Sequence, residues 1–130
     1  MTQQERFDEI ERRILERIGS QVSFQYAEPK LSREGELADR VTLNPYPGST
    51  DDISYWNVID LIRFPDETEK EWMRVSYYKN SGSRLVWGGM TALTEPISAW
   101  KRLFVHAARE MPWFRNLLKD VMRELDEASE

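Results

Sequence analysis

The chain has 130 residues, of which 40% are hydrophobic and 32% are charged, and its formal net charge is −5. These values are typical of one folded domain, so we expect residues 1–130 to form a single soluble domain. The acidic balance disfavours extensive nonspecific contact with a nucleic acid backbone. The absence of cysteine excludes disulfides and thiolate chemistry. No apolar run is long enough to span a bilayer, so we expect a cytoplasmic protein that does not bind a membrane.

The N-terminal part is predicted to contain a helix and two strands. Residues 2–18 form the helix, because apolar residues recur every three or four positions and Gly19 is a plausible stop. Alternating apolar and polar residues predict a strand over 22–26. The polar segment 28–37 holds a proline and a glycine and is interpreted as a loop, and 40–43 is predicted to be a second short strand.

The middle of the chain is predicted to form an antiparallel meander over residues 53–90. Two prolines and a glycine make 44–52 a loop, and the long apolar run over 53–64 is typical of a central strand covered on both sides. Residues 71–78 and 84–90 follow as strands. The short turns between these segments favour antiparallel neighbours.

Two helices are predicted at the C-terminus. Thr94 is a good N-cap for the first, and Pro112 interrupts the pattern and begins the second. The fold class is therefore α+β, with an N-terminal helix, a roughly five-stranded antiparallel sheet and two C-terminal helices. We expect helices on one face of the sheet, with the other face open, paired with a second copy or curved around a cavity.

No catalytic set is visible in the sequence. His106 shares a polar helix face with arginines, which is typical of an ordinary surface or interface histidine. Asp60 interrupts an apolar strand, so burial would require a partner such as Arg74 or Arg63. No residue spacing indicates a metal site, and we expect no cofactor.

The strongest functional signal is an alternation of rings and positive charge on one face of the strand over 71–78. The predicted ligand or partner surface consists of Trp72, Arg74, Tyr78, Arg84 and Trp87. Such a surface can stack planar groups and hold anions. The leading hypothesis is a noncatalytic binding module for a protein or a small ligand.

Three further expectations accompany this hypothesis. The narrow apolar stripe of the first helix favours a homodimer. One alternative is a single-stranded nucleic-acid-binding protein that uses the same surface. The other is a small enzyme with a sheet-lined pocket that uses His106 or Asp60 as its acid–base group.

Overall fold

A computed structural model describes residues 2–25, 32–50, 52–89 and 93–128. Within these residues the chain forms three helices and five strands. They are α1 (Gln3–Leu15), β1 (Gln21–Gln25), β2 (Ser32–Leu43), β3 (Ile53–Arg63), β4 (Glu71–Ser81), β5 (Arg84–Trp87), α2 (Ile97–Glu110) and α3 (Pro112–Ala128). This order confirms the predicted α+β fold. No helix of the described residues is long and apolar enough to cross a bilayer.

The five strands form one antiparallel sheet in sequence order, β1-β2-β3-β4-β5. The predicted meander is confirmed by β3, β4 and β5. The β4–β5 turn is tighter than expected, because β4 continues to Ser81 and the chain reverses at Gly82, whose φ is +61°. Met90, which the sequence assigns to the last strand, lies outside the described residues.

Strand β2 is much longer than the sequence predicts. The loop prediction for 28–37 is wrong over residues 32–37, which belong to β2 and of which 32–36 pair with β1, and residues 28–31 lie outside the described part. Gly35 is a residue typical of loops, but here it has a packing role within the strand. A Cβ at this position would lie 2.8 Å from the ring of Phe64, so the glycine makes room for that ring.

A β-bulge interrupts β2 between Leu37 and Asp39. Leu37 pairs with Ile62, while Asp39 pairs with Leu61, so Ala38 is an extra residue on this strand. Residues two apart normally point to the same face of a sheet. Because of the bulge, Leu37 packs on one face with Ile62, and the indole Nε1 of Trp113 on α3 donates to Asp39 Oδ2 over 3.1 Å on the other.

Helices pack on both faces of the sheet rather than on one. Helix α1 buries Ile10 and Ile14 against Trp56, Val58 and Tyr78. The opposite face carries a larger apolar cluster formed with α2 and α3, whose buried members are Val41, Ile59, Leu103, Ala107, Met111 and Phe114. We call these two sides the α1 face and the α2–α3 face.

The helix ends follow the sequence only in part. Thr2 caps α1, because its Oγ1 accepts from the backbone N–H of Glu5 at 3.1 Å. The predicted cap at Thr94 is wrong, since α2 begins at Ile97 after Pro96 and has no side-chain cap. The predicted break at Pro112 is confirmed.

Candidate functional site

Three charged residues form a row across the centre of the sheet on the α1 face. Asp60 on β3 lies directly opposite Arg40 on β2 and Arg74 on β4. Directly opposed residues of antiparallel strands point to the same face, so the register brings the three side chains together. The side chain of Asp60 is completely buried, and that of Arg74 is 20% exposed.

The carboxylate of Asp60 is shared between the two guanidinium groups. Arg40 donates from Nε to Oδ1 over 2.6 Å and from Nη2 to Oδ2 over 3.1 Å. Arg74 donates from Nε and Nη2 to Oδ2, over 3.1 and 2.9 Å. Two positive charges and one negative charge meet here, so the group has one positive charge in excess.

Arg40 also connects this group to α1. Its Nη1 donates to the backbone carbonyl of Ile14 and to the hydroxyl of Tyr78, each over 3.0 Å. The carbonyl belongs to the last turn of α1, where carbonyl groups have no partner within the helix. Burial lowers the pKa of Arg40, but the hydrogen bond and charge of Asp60 outweigh it, so the pKa is raised and the group stays charged.

Arg74 lies among aromatic rings. Its guanidinium carbon is 4.7 Å from the ring centre of Trp87 and 5.7 Å from that of Phe24. The Trp87 indole is held by its Nε1, which donates to Ser76 Oγ over 3.0 Å. No described residue accepts a hydrogen bond from Nη1 of Arg74 in this arrangement. A cation between two rings is favourable, and its free donors can take an anion.

Phe64 and Trp72 complete this region. Phe64 packs edge-on against Phe24 and Trp72, with ring centres 5.5 and 5.6 Å apart. Phe24 on β1 meets Arg74 on β4 across two intervening strands, so the sheet is concave on this face. Trp72 and Trp87 are 41% and 40% exposed. We call Phe24, Phe64, Trp72, Arg74 and Trp87 the arginine–aromatic surface.

The structure brings together only part of the predicted surface. Trp72, Arg74 and Trp87 lie on the α1 face as expected. Tyr78 lies on the same face but is buried beneath α1. Arg84 lies on the opposite face, because it pairs with Ser81 whereas Trp87 pairs with Tyr78.

The two polar candidates lie on opposite sides of the sheet. Asp60 has Arg74 as a partner, as the sequence suggested, whereas Arg63 points to the α2–α3 face. His106 on α2 lines an open groove with Leu43 and Arg102, on the opposite side of the sheet from Asp60. Asp60 therefore acts as an ion-pair centre, and its side-chain partners among the described residues are Arg40 and Arg74.

The predicted site residues do not include three members of this site, which are Arg40, Phe24 and Phe64. Arg40 is the first residue of the predicted strand over 40–43, and no partner is predicted for it. A second charged residue in a buried strand, besides Asp60, was a usable signal for an ion pair. Phe24 belongs to the far edge of the sheet, and no local pattern connects it with Arg74. Comparison with protein-family models, with curated protein sequences and with solved structures gave no match.

Proposed function

We propose that this chain is a noncatalytic binding module that holds an acidic segment of a protein partner on the arginine–aromatic surface. The single observation that supports this most is the guanidinium of Arg74, which is partly exposed between two rings and carries the excess charge. We place its action in the cytoplasm, which the absence of cysteine favours.

The chemistry of Arg74 favours a carboxylate ligand. The rings of Trp87 and Phe24 restrict the guanidinium, so little side-chain entropy is lost when an anion binds. A charge-assisted hydrogen bond in this setting contributes about 1.5–3 kcal/mol. Trp72 and Trp87 add exposed ring area of the kind enriched at interface centres.

A single-stranded nucleic acid is the alternative ligand, because exposed indoles beside an arginine can stack bases. With Arg84 on the other face, Arg74 is the one cation among the described side chains that form the arginine–aromatic surface. One phosphate contact would give a logarithmic salt slope of only about −0.7. A surface with this charge therefore fits a peptide better than an extended strand.

Selection from a random peptide pool tests the proposal. We expect binders enriched in Asp or Glu next to an apolar residue, with affinity measured by calorimetry. Arg74→Met should weaken them at least tenfold, since it keeps the packed stem and removes the charge. Arg84→Met is the matched control on the opposite face and should leave affinity unchanged.

The opposite results are equally informative. A pool that yields no binder sensitive to Arg74→Met would overturn the proposal. If oligothymidine binds the surface more tightly than the selected peptides, and with a steep salt dependence, the nucleic acid alternative replaces it.

We further propose that two copies associate through antiparallel α3 helices. Ile10 and Ile14 of the apolar stripe of α1 are buried against its own sheet, so α3 is the better candidate for this contact. On α3, Leu117, Val121 and Met122 are exposed. Met122 also lines a groove with Arg115 near the start of α3 and Asp126 near its end, so an antiparallel copy would place each Arg115 opposite the other copy's Asp126.

Light scattering coupled to size exclusion tests the dimer. Met122→Glu should convert it to a monomer, because a charge would enter the apolar contact. Ile97→Glu is the control, since Ile97 is an equally apolar and more exposed residue at the start of α2. A wild-type chain that is monomeric at all concentrations would exclude this association.

A further inference from the structure

A separate pocket lies on the α2–α3 face, at the end of the sheet where β3 begins. Its volume is about 280 Å³, and it is lined by Tyr46, Tyr55, Asn57, Tyr77, Leu93, Thr94 and Glu95. Asn57 and Tyr77 are direct partners on β3 and β4, whereas their neighbours Trp56 and Tyr78 point to the α1 face. This tyrosine pocket is therefore separated from the arginine–aromatic surface by the sheet.

Asn57 is the feature that indicates a ligand. The residue is only 2% exposed, and its Oδ1 is buried without a hydrogen-bond partner. A buried acceptor without a partner costs about 1–3 kcal/mol, so native proteins seldom retain one without a reason. Since Asn57 lines the pocket, a ligand N–H is a natural partner for this oxygen.

The other polar groups of the pocket also favour positive charge. Glu95 is the one acidic side chain among the described residues of its lining, and its Oε2 accepts from the hydroxyl of Tyr46 over 2.6 Å. This hydrogen bond raises the pKa of Tyr46, with smaller contributions from burial and from the charge of Glu95. Tyr46 therefore stays neutral and keeps donating at neutral pH.

The rings form an aromatic wall. Those of Tyr55 and Tyr77 have centres 6.2 Å apart and are inclined at 53°. Gly88 leaves room for the ring of Tyr77, because a Cβ at this position would clash with its Cζ. Tyrosine faces attract cations, and most strongly where water is partly excluded.

We infer that the tyrosine pocket binds a small organic ammonium cation that carries at least one N–H. The rings and Glu95 would hold the positive charge, and the N–H would donate to Asn57 Oδ1. Two cations are near but outside the lining: Arg102, which donates to the carbonyl of Pro45, and Lys79, opposite Tyr55 on β4. The inference does not rest on the proposed function, since it concerns the other face.

Trimethylammonium and tetramethylammonium chloride are suitable probes. Their binding is monitored through the amide chemical shifts of the protein at constant ionic strength and neutral pH. Trimethylammonium should shift signals of Asn57 and Tyr77 and bind several-fold more tightly, because only this ion can donate to Asn57 Oδ1. Neutral tert-butanol should not bind. Equal responses to tert-butanol, or no response of these signals to trimethylammonium, would overturn the inference.

Two variants test whether trimethylammonium binds in the tyrosine pocket, and neither of them changes the buried Asn57. Glu95→Gln should weaken trimethylammonium binding about tenfold, and so should Tyr55→Leu, because they remove the charge and one ring. Glu36→Gln changes an exposed carboxylate outside the pocket and is the matched control. Unchanged affinity in both pocket variants would contradict the assignment, whatever their stability.

Discussion

The two faces of β3 differ in how the same strand is buried. On the α2–α3 face, Ile59 belongs to an apolar cluster with Leu103 and Phe114. On the α1 face, the adjacent residue Asp60 is equally buried but is held by four hydrogen bonds from two arginines. Burial on both sides explains the continuous run of buried residues in β3.

This difference has an energetic consequence. The apolar cluster derives its stability from area removed from water, so its losses scale with the atoms that are deleted. The row of Arg40, Asp60 and Arg74 is stabilised by ion pairing. The free energy of unfolding that a substitution removes there depends on which charge it leaves without a partner. Substitutions on the two faces should therefore follow different rules, and four experiments test this.

The largest effect is expected on the apolar face. Phe114 is fully buried and contacts the rings of Phe104 and Trp113 at centre distances of 5.4 and 5.8 Å. Phe114→Ala should lower the free energy of unfolding by about 4 kcal/mol, measured by urea denaturation. Val105→Ala on the exposed side of α2 is the control and should lower the free energy of unfolding by only about 0.5 kcal/mol.

On the charged face, Asp60→Asn should lower the free energy of unfolding by about 3 kcal/mol, although it deletes almost no side-chain volume. The cost arises because Arg40 and Arg74 then face each other without a carboxylate. Asp66→Asn, in the exposed turn after β3, is the matched control and should have little effect. A loss below 1 kcal/mol in Asp60→Asn would show that the row is not balanced by pairing.

Arg74→Met should cost only about 1 kcal/mol, because Asp60 keeps both hydrogen bonds from Arg40 and the apolar stem remains packed. Arg40→Met should cost more, since Ile14 and Tyr78 also lose a donor. The urea unfolding curves of the two variants show which arginine contributes more to the free energy of unfolding. The opposite order would assign the structural role to Arg74 and weaken its role in ligand binding.

The smallest effect is the pH dependence due to Tyr46. Its hydrogen bond to Glu95 raises its pKa above the ordinary tyrosine value of about 10. The stabilisation is complete below that value and is lost as the pH rises through the raised pKa of the folded protein. Absorbance at 295 nm should show a late-titrating tyrosine that Tyr46→Phe removes and that Glu95→Gln shifts to lower pH.

Sequence periodicity was enough for much of the fold, since the helices, β3 and β4 have regular patterns with short turns. It failed for β2, whose polar residues and Gly35 resemble a loop and whose pairing comes from strands distant in sequence. The site divides in the same way. The Asp60–Arg74 pair follows from adjacent strands, whereas Arg40 requires the β2 register and Phe24 requires the curvature of the sheet.

The extra residue in β2 also constrains how the gene can change. Ala38 sets the two parts of the strand out of phase, so that Leu37 and Arg40 share one face while Asp39 reaches Trp113 on the other. Deletion of Ala38 would leave Leu37 and Asp39 adjacent and still opposite Ile62 and Leu61, so every side chain would keep its face and the strand would lose only its bulge. Length variation among homologues should therefore include the loss of one residue at the bulge and should be frequent in the loop over 44–50.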